Sequence, residues 1–425
     1  MPPIRFIHAA DLHLDAAFSG LSRDIPADFA ERLRTATFTA FRRLLDLCER
    51  ESPDFLLLAG DVYNQEDASV SAQLALRDGF RRLESLSIPV FLVHGNHDPL
   101  ASRLRSVRWP GNVTVFGELP DAVPVFRKGE GTPLAIIHGA SHASGRETRN
   151  LAALFRRTEA CGLHVGLLHA TPGDADGVAR YAPFSQGDLK ASGMDYWALG
   201  HIHDRREVCR EPLAAYPGCT QGLHINEPGE KGCLLVTAEA RPDGGYAVRT
   251  SFRPLGPAVW KTLDMDLGGA ASLDELENRL RTGLDRAAAE VWSGCEMLLV
   301  RLRLQGRTEL DGLLRKGTTC AELADRLRED GSGVPRIWIK DIDVATRPWV
   351  ERGALLERED LLGEVFRLSE AARTASGLQA LREGPLAPLF AHARAGKALE
   401  PLTDEELARL LDDAESLCLD LLEND

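Results

Sequence analysis

The sequence predicts an α/β protein in which two β-sheets pack together and helices cover their outer faces. Through the first 200 residues, short apolar runs alternate with amphipathic helical patterns. Beyond residue 203 the pattern changes to short strands and turns, which indicates an all-β part. In addition, five of the apolar runs end in a turn that carries His, Asp or Asn, and this places candidate chemistry at strand ends.

The strands that precede those polar turns are the clearest elements of the first part. They are expected at Ile4–Ile7, Phe55–Leu58, Val90–Val93, Val165–Leu168 and Tyr196–Leu199. Further strands are expected at Val113–Phe116, Leu134–Ile137, Ala214–Tyr216, Gly232–Thr237 and Tyr246–Phe252.

Three helices are predicted between these strands. They cover Asp28–Arg50, Ser69–Leu86 and a segment near Thr148–Thr158. Asp28 is predicted to cap the first helix, with Glu31 completing a capping box.

Two further parts follow a predicted boundary at residues 254–260, where Pro254, Gly256 and Pro257 cluster. Residues 260–345 have a β-α-β-α-β pattern that suits a small α/β cap domain, and residues 350–425 have an acidic helical pattern. The chain is therefore expected to have three domains, at 1–255, 260–345 and 350–425. The cap elements are expected at Lys261–Leu267, Leu273–Val291, Glu296–Leu304, Leu310–Arg328 and Val334–Asp343.

Composition favours an ordinary globular protein. The chain has 425 residues, 44% hydrophobic and 27% charged, and no run of about eighteen apolar residues indicates a membrane span. The N-terminus enters the first strand almost directly, so no signal peptide is expected. The eight cysteines form no C-x-x-C pair, and a cytoplasmic protein with reduced thiols is therefore predicted.

Charge and histidine content place the chemistry in the first part of the chain. Residues 1–260 carry 28 basic and 31 acidic side chains, a net charge of −3, whereas residues 261–425 carry 22 and 33, a net charge of −11. Eleven of the twelve histidines precede residue 225. An acidic surface is a poor candidate for binding phosphate, so the second part is not expected to contact it.

The polar turns supply the ligand types of a two-metal phosphoesterase. Carboxyl ends of parallel strands meet at one edge of a sheet, so residues far apart in sequence can converge there. Oxygen and imidazole ligands together suit manganese, iron or zinc, and two such ions can activate water and clamp a phosphate. The candidate metal ligands are Asp11, His13, Asp61, Asn96, His169, His201 and His203.

The spacing within each turn suggests how the ligands divide between two ions. Asp61 stands alone in its turn and is the natural bridge between the ions. Asp11 and His13 lie two residues apart on a short turn and can face one ion. His201 and His203 have the same spacing and can supply one imidazole to each ion. For any one of these residues alone, a purely structural role remains the alternative.

His97 and Asp98 are the candidate catalytic residues. An imidazole beside a metal-bound phosphate can stabilise charge or protonate the leaving oxygen. Asp98 is predicted to hold that ring in one tautomer, as carboxylates commonly do. The alternative is that His97 only packs the turn.

These motifs resemble those of the calcineurin-like metallophosphoesterase superfamily, and in particular its DNA-repair exonuclease branch of SbcD and YhaO type. The resemblance covers roughly residues 4–236 and lies in FIHAADLHLD, LLLAGDVYN, VHGNHDP, LLHA, ALGHIH and YPGCTQG. It implies a four-layer αββα sandwich with a cap over a DNA groove and a manganese-dependent nuclease domain at residues 1–255.

The resemblance also implies the full division of the ligands and the role of His97. The first ion takes Asp11, His13, Asp61 and His203. The second takes Asp61, Asn96, His169 and His201. The family's catalytic histidine corresponds to His97.

The partners implied by the resemblance are DNA and an SMC-like ABC ATPase of SbcC or YhaN type. The C-terminal helices at 350–425 are expected to engage that ATPase. A homodimer is a further option, and no membrane partner is expected.

The sequence departs from the family pattern at two positions. Some nuclease relatives carry a His three residues after the bridging Asp, where this chain has Asn64, which can hydrogen-bond a phosphate but carries no charge. Cys219 stands where a Ser is frequent, and a buried, unreactive thiol is expected there.

Other histidines and two arginine clusters have weaker assignments. His8 is expected in the core, His138 and His142 are expected to be structural or to approach the rim of the site, and His94 argues against the protein-phosphatase branch. The arginine clusters, which could attract DNA or be solvated surface, are Arg103, Arg105 and Arg108, and Arg205, Arg206 and Arg210.

Three functions are compatible with these features. The first is a manganese-dependent DNA nuclease subunit of a repair complex. The second is a phosphatase or cyclic-nucleotide phosphodiesterase acting on small substrates, which shares the metal site. The third is a non-enzymatic scaffold for an ATPase, against which the complete ligand set argues.

Overall fold

The computed structural model describes residues 2–21, 25–64, 70–101, 107–127, 129–173, 180–242, 244–329, 333–392 and 402–422. The chain divides into two compact units. The first consists of Met1–Asp266, Asp274–Gln305 and Leu314–Ala345, and the second of Leu267–Leu273, Gly306–Leu313 and Thr346–Asp425. None of the described helices has the length and apolar character needed to cross a bilayer.

Two mixed six-stranded sheets form the centre of the first unit. The first sheet has the order β12-β11-β1-β2-β3-β4 and the second has the order β5-β6-β7-β8-β10-β9. The strands of the first sheet are β1 (Ile4–Ala9), β2 (Phe55–Ala59), β3 (Val90–Val93), β4 (Val113–Val115), β11 (Gly232–Ala240) and β12 (Tyr246–Pro254). Those of the second are β5 (Asp121–Val125), β6 (Ala135–Ala140), β7 (Leu163–His169), β8 (Tyr196–Gly200), β9 (Arg206–Arg210) and β10 (Leu213–Tyr216).

The sheets pack face to face and helices cover their outer sides. The core between the sheets contains Phe6, Phe55 and Leu57 from the first sheet and Val165 and Tyr196 from the second. The helices near the sheets are α1 (Ala27–Arg34), α2 (Ala36–Glu51), α3 (Val70–Ser85) and α4 (Gln186–Ala191). A second core joins the first sheet to α2 and α3, and a third joins the second sheet to α4. The predicted four-layer αββα arrangement is therefore confirmed.

The strand pairing brings the polar turns to one edge. β1, β2 and β3 are adjacent and parallel, and so are β7 and β8, whose register pairs His169 with Gly200. The five predicted strands of this group all form, with ends that differ by at most two residues. Continuous apolar runs explain this accuracy, because strands buried on both faces read as unbroken hydrophobic segments.

A small parallel sheet and two helices form the predicted α/β cap. Its strands are β13 (Ala258–Asp266), β14 (Met297–Gln305) and β16 (Arg336–Val344). Its helices are α5 (Leu273–Glu290) and α7 (Thr319–Glu329). Phe29 of α1 packs on Trp338 of this sheet, with ring centroids 5.7 Å apart, so the cap and the sandwich share a core.

The second unit contains the C-terminal helices. A two-stranded ladder pairs β15 (Arg307–Thr308) with β17 (Arg347–Pro348), and a short α6 (Asp311–Leu314) follows β15. The helices are α8 (Arg352–Leu356), α9 (Leu361–Ala372), α10 (Ala375–Glu383), α11 (Ala387–Ala391) and α12 (Asp404–Leu422). Their small core contains Leu355, Leu362, Phe366 and Leu419.

Several helix predictions are wrong in detail. The predicted helix Asp28–Arg50 is interrupted at Thr35, and the residue at its cap position is Pro26, which makes no side-chain cap hydrogen bond. Asp28 instead lies in the first turn and forms an ion pair with Arg336 of the cap. The helix predicted near Thr148–Thr158 is only a 3₁₀ turn at Ala152–Leu154.

Candidate metal centre

The candidate ligands lie on turns with unusual backbone geometry. Asp11, His13, Asp61 and His201 all have positive φ, at 51°, 41°, 49° and 103°. Non-glycine residues rarely adopt this conformation, and it concentrates at functional sites where the surrounding structure enforces it. The turns therefore aim these side chains at the common edge of the two sheets, at a conformational cost.

The first cluster contains Asp11, His13 and His203, whose potential ligand atoms lie within 4.8 Å of one another. His13 and Asp11 are buried, and His203 is partly exposed. The Nε2 atoms of His13 and His203 are 3.2 Å apart. Both carboxylate oxygens of Asp11 accept the backbone N–H of His201 at 3.1 Å, which ties the first turn to the fifth.

The second cluster contains Asp61, His169 and His201, again within 4.8 Å of one another. Asn96 joins it, because its Oδ1 lies 3.0 Å from Nε2 of His169 and 3.2 Å from Nδ1 of His201. Oδ2 of Asp61 lies 3.3 Å from the same Nε2 of His169. The structure thus brings all seven candidate ligands into two clusters, with Asp61 in the second, and their binding of metal, including the bridging by Asp61, stays a prediction.

Hydrogen bonds on the far side of the rings decide which nitrogen faces each cluster. Nδ1–H of His13 donates to Oδ1 of Asn64 at 2.6 Å, and Nδ1–H of His203 donates to Glu227 at 2.5 Å. Nδ1–H of His169 donates to the carbonyl of Ala59 at 2.9 Å. In the neutral rings, each Nε2 therefore keeps its lone pair and points into the cluster.

This arrangement fits a bound cation. In the neutral rings of His13 and His203, the two Nε2 lone pairs at 3.2 Å repel each other. A divalent ion between the atoms converts this repulsion into coordination. Oxygen and imidazole donors in this number suit manganese, iron or zinc. The residues are therefore consistent with a dinuclear metal centre.

The charges of the buried groups also favour a bound cation. Burial acts to lower the pKa of His169, but the neighbouring carboxylate of Asp61 outweighs it and raises the pKa to about 9. Burial acts to raise the pKa of Asp61, and the charge and hydrogen bond of His169 outweigh it, so this pKa falls below its usual range. The carboxylate of Asp61 thus favours a positive charge at Nε2 of His169, which a proton or a bound cation can supply. Burial raises the pKa of Asp11 to about 6.

His97 lies at the exposed rim of the centre. Its ring stands edge-on to that of His13, with centroids 5.2 Å apart. Its backbone N–H donates to Oδ1 of Asp61 at 2.9 Å, which fixes the turn that carries it. A substrate placed on the clusters can therefore reach this imidazole from solvent.

Asp98 has different partners from those predicted. Its carboxylate accepts the backbone N–H of Val62 at 3.0 Å and that of Gly95 at 2.7 Å, and it lies 3.3 Å from Nδ1 of His94. No contact with the ring of His97 is found among the described residues. Asp98 therefore joins the second and third turns through their backbones, and the predicted hold on the His97 ring is not supported.

Three further histidines, His8, His138 and His142, and the thiol of Cys219 are buried. His8 is fully buried and bonds Tyr196 and the carbonyl of Leu199, as expected of a core residue. His142 donates to the carbonyl of His169 at 2.6 Å, and His138 bonds His164. Burial raises the pKa of the Cys219 thiol well above its usual value, so an unreactive thiol is the interpretation that fits.

The arginine clusters divide between described and undescribed residues. Arg103 and Arg105 lie outside the described residues. Arg205 and Arg206, two and three residues after His203, are exposed. Their guanidinium groups stack over Phe252 at 4.0 Å and Tyr216 at 5.7 Å. Neither makes an ion pair within the described part of the chain.

Sequence reasoning missed three residues around the centre. Glu227 orients His203, and the buried Lys231 donates to the backbone carbonyl of His203 at 3.1 Å. The ring of Tyr181 stands edge-on to that of His201 with centroids 5.3 Å apart. A lone Glu, Lys or Tyr outside any strand-end motif carries no local signature of such a role.

The comparisons with known proteins agree with this geometry. Residues 4–205 match the family described as calcineurin-like phosphoesterase, and residues 260–347 match the middle domain of metallophosphoesterase YhaO. The chain is 34% identical over 388 residues to an uncharacterised metallophosphoesterase YhaO of Bacillus subtilis, covering 90% of this chain and 91% of that protein. The chain belongs to the YhaO family of calcineurin-like metallophosphoesterases.

The chain is also similar to DNA double-strand break repair proteins. The chain is 28% identical over 320 residues to the DNA double-strand break repair protein Mre11 of Aeropyrum pernix, covering 68% of this chain and 69% of that protein. It is 23% identical over 418 residues to Mre11 of Methanopyrus kandleri, with 85% of both chains covered. The YhaO-type resemblance stated from the motifs is confirmed.

Proposed function

We propose that this YhaO-family protein is a manganese-dependent phosphodiesterase that cleaves DNA strands as the nuclease subunit of a repair complex. The observation that carries the proposal is the pair of His/Asp clusters at one sheet edge, with an exposed imidazole beside them. The relationship to Mre11 proteins supports DNA as the substrate and DNA repair as the setting.

The chain's own residues have separate roles in this reaction. The seven candidate ligands would hold two divalent ions, which when bound would activate a water molecule and neutralise phosphate charge. His97 donates a proton to the leaving oxygen. Asp61 holds the turn that carries His97, because its carboxylate accepts the backbone N–H of that residue. Asn64 bonds the ring of His13, so in this chain it holds a ligand rather than contacting the phosphate.

Two features favour a polynucleotide over a small substrate. Arg205 and Arg206 are exposed next to His203, and stacking on aromatic rings holds their guanidinium groups in place without neutralising them. Such groups suit phosphates of a strand that extends beyond the scissile bond. The cap shares a core with α1, so it provides further surface on the same unit.

We also propose that the C-terminal helices bind an SMC-like ATPase. The large apolar residues of these helices fall into two groups in the structure. Leu355, Leu362, Phe366, Leu407 and Leu419 are buried, whereas other leucines are exposed. The exposed leucines are Leu361 (65% exposed), Leu368 (62%), Leu410 (45%), Leu417 (59%) and Leu421 (66%). Helices with apolar residues left in solvent suit docking against a partner helix.

A cleavage assay tests the proposed reaction. The metal-free protein is given manganese and incubated with linear DNA, with bis-p-nitrophenyl phosphate as a small diester and with p-nitrophenyl phosphate as a monoester. Cleavage of DNA in preference to the monoester is expected. Rapid hydrolysis of the monoester with intact DNA would favour a phosphatase and overturn the proposal.

A further inference from the structure

The loop between β10 and β11 surrounds one candidate ligand, His203. The backbone carbonyl of His203 accepts the N–H of Cys219 at 3.2 Å and Nζ of Lys231 at 3.1 Å. Gly218, with φ of 81°, leaves no room for a side chain here, since a Cβ atom would lie 2.7 Å from that carbonyl oxygen. The loop therefore fixes the backbone of His203 from two directions.

Glu227 of the same loop fixes the ring. Its Oε1 accepts Nδ1–H of His203 at 2.5 Å, and its Oε2 accepts the backbone N–H of Leu223 at 2.6 Å. The side chain is only 20% exposed. Both carboxylate oxygens are thus engaged, and the carboxylate has a single orientation relative to the imidazole.

This partner differs from those of His13 and His169. Asn64 and the carbonyl of Ala59, which hold His13 and His169, are neutral acceptors. A carboxylate acceptor increases the basicity of an imidazole ligand more than a neutral one does, and it adds a negative charge near the ion. Each cluster has one carboxylate of its own, Asp11 in the first and Asp61 in the second, so Glu227 adds a second carboxylate beside the first cluster.

We propose that Glu227 is a positioning residue that holds the ring of His203 and makes the first cluster the tighter of two unequal divalent-cation sites. The inference rests on the proposed two-ion centre. It extends that proposal by assigning a role to a residue outside the ligand set and an order to the two sites. The second cluster then fills only at higher metal concentration.

Metal titration without turnover tests this role. Metal-free full-length protein is titrated with manganese chloride by calorimetry, and electron paramagnetic resonance follows the same samples. The wild type is expected to show two classes of sites. Glu227→Gln is expected to weaken the tighter class about 10–100-fold and to leave the weaker class unchanged. At low manganese the wild type should show the spectrum of an isolated ion.

Two variants complete the design. Glu239→Gln removes an exposed carboxylate whose only described ion pair is with Arg249, at 3.5 Å, and it should titrate like the wild type. Glu227→Asp keeps the charge but shortens the reach, and an intermediate loss is expected from it; it replaces the Gln variant if that variant does not fold.

The outcomes separate this inference from the proposed function. A Glu227 variant that titrates like the wild type, or that weakens only the weaker class, contradicts the role of Glu227. Two equivalent sites in the wild type contradict the order of filling. A wild type that binds fewer than two ions, or that leaves DNA intact when loaded, contradicts the proposed function instead.

Discussion

At the scale of single residues, Asp61 is the side chain that is predicted to serve both clusters. Its carboxylate lies 3.3 Å from Nε2 of His169 in the second cluster. Burial lowers the pKa of His13 in the first cluster to about 4, and the charge of Asp61 offsets part of this effect. We therefore expect Asp61→Ala to abolish both metal binding and cleavage. Metal analysis of the purified variant checks this, with Asp78→Ala, an exposed carboxylate, as control. Near-normal content of two ions would contradict the bridging role.

His97 is expected to separate turnover from metal binding. Its ring lies at the rim rather than inside either cluster, and its backbone N–H, which any residue supplies, makes the contact with Asp61. We expect His97→Ala to retain both ions and to cleave DNA about 10²–10⁴-fold more slowly. His97→Asn, which cannot transfer a proton, should be equally slow. Loss of metal from either variant would make His97 a ligand.

The sequence located the candidate ligands but not the residues that support them. Each ligand stands directly after an apolar strand, and its position is therefore visible in the chain itself. Glu227 lies 24 residues beyond His203, and only the folded loop brings the two together. For Asp98 the error is the opposite one, since a contact was predicted that the structure does not show. Asp98 is next to His97 in sequence, but its carboxylate bonds the backbones of Val62 and Gly95.

At the scale of elements, the strand-end turns leave no space between them. Gly95 packs so closely that a Cβ atom would lie 2.3 Å from Oδ1 of Asp61 and 2.8 Å from the ring of His169. We expect Gly95→Ala to displace these ligands and to lose most metal binding while the sandwich stays folded. Calorimetric titration with manganese and circular dichroism measure the two effects.

Gly131→Ala is the matched control for this substitution. A Cβ atom at Gly131 meets nothing within 4 Å, and the φ of this residue is not in the left-handed region. The control should bind metal like the wild type. Unchanged titration of the Gly95 variant would show that the turns can move apart and would contradict the tight packing.

Element prediction succeeded where burial dominates and failed where local contacts decide. The central strands form as expected because their apolar runs have only one way to be buried. The helix predicted near Thr148–Thr158 does not form because local side chains take its backbone groups: Glu147 accepts the N–H of Arg149, and Asn150 accepts that of Ala153. Such competition is invisible to hydrophobic periodicity.

At the scale of the whole molecule, the division into domains at 1–255, 260–345 and 350–425 remains a prediction. The structure groups the cap with the sandwich in its first unit, and it places Leu267–Leu273 and Gly306–Leu313 with the C-terminal helices. Along the chain, both segments lie between elements of the cap. A truncation after residue 345 would therefore remove residues that pair with β15. Thr346 bonds Asp311 at 2.7 Å, and β17 pairs with β15.

The proposal that the C-terminal helices, the tail, bind an ATPase is therefore best tested with a truncation after Trp349, which keeps these contacts. We expect the truncated protein to retain manganese-dependent cleavage, since all seven candidate ligands lie in the first unit, and to lose association with a coiled-coil ATPase. Co-elution in size-exclusion chromatography measures the association.

In the full chain, the double variant Leu417→Glu with Leu421→Glu should also retain cleavage and lose the association, because both side chains are exposed and the buried Leu419 is left in place. A truncated protein that unfolds or loses its metals would show that the tail belongs to the folded core, and retained association in the double variant would contradict docking through these leucines.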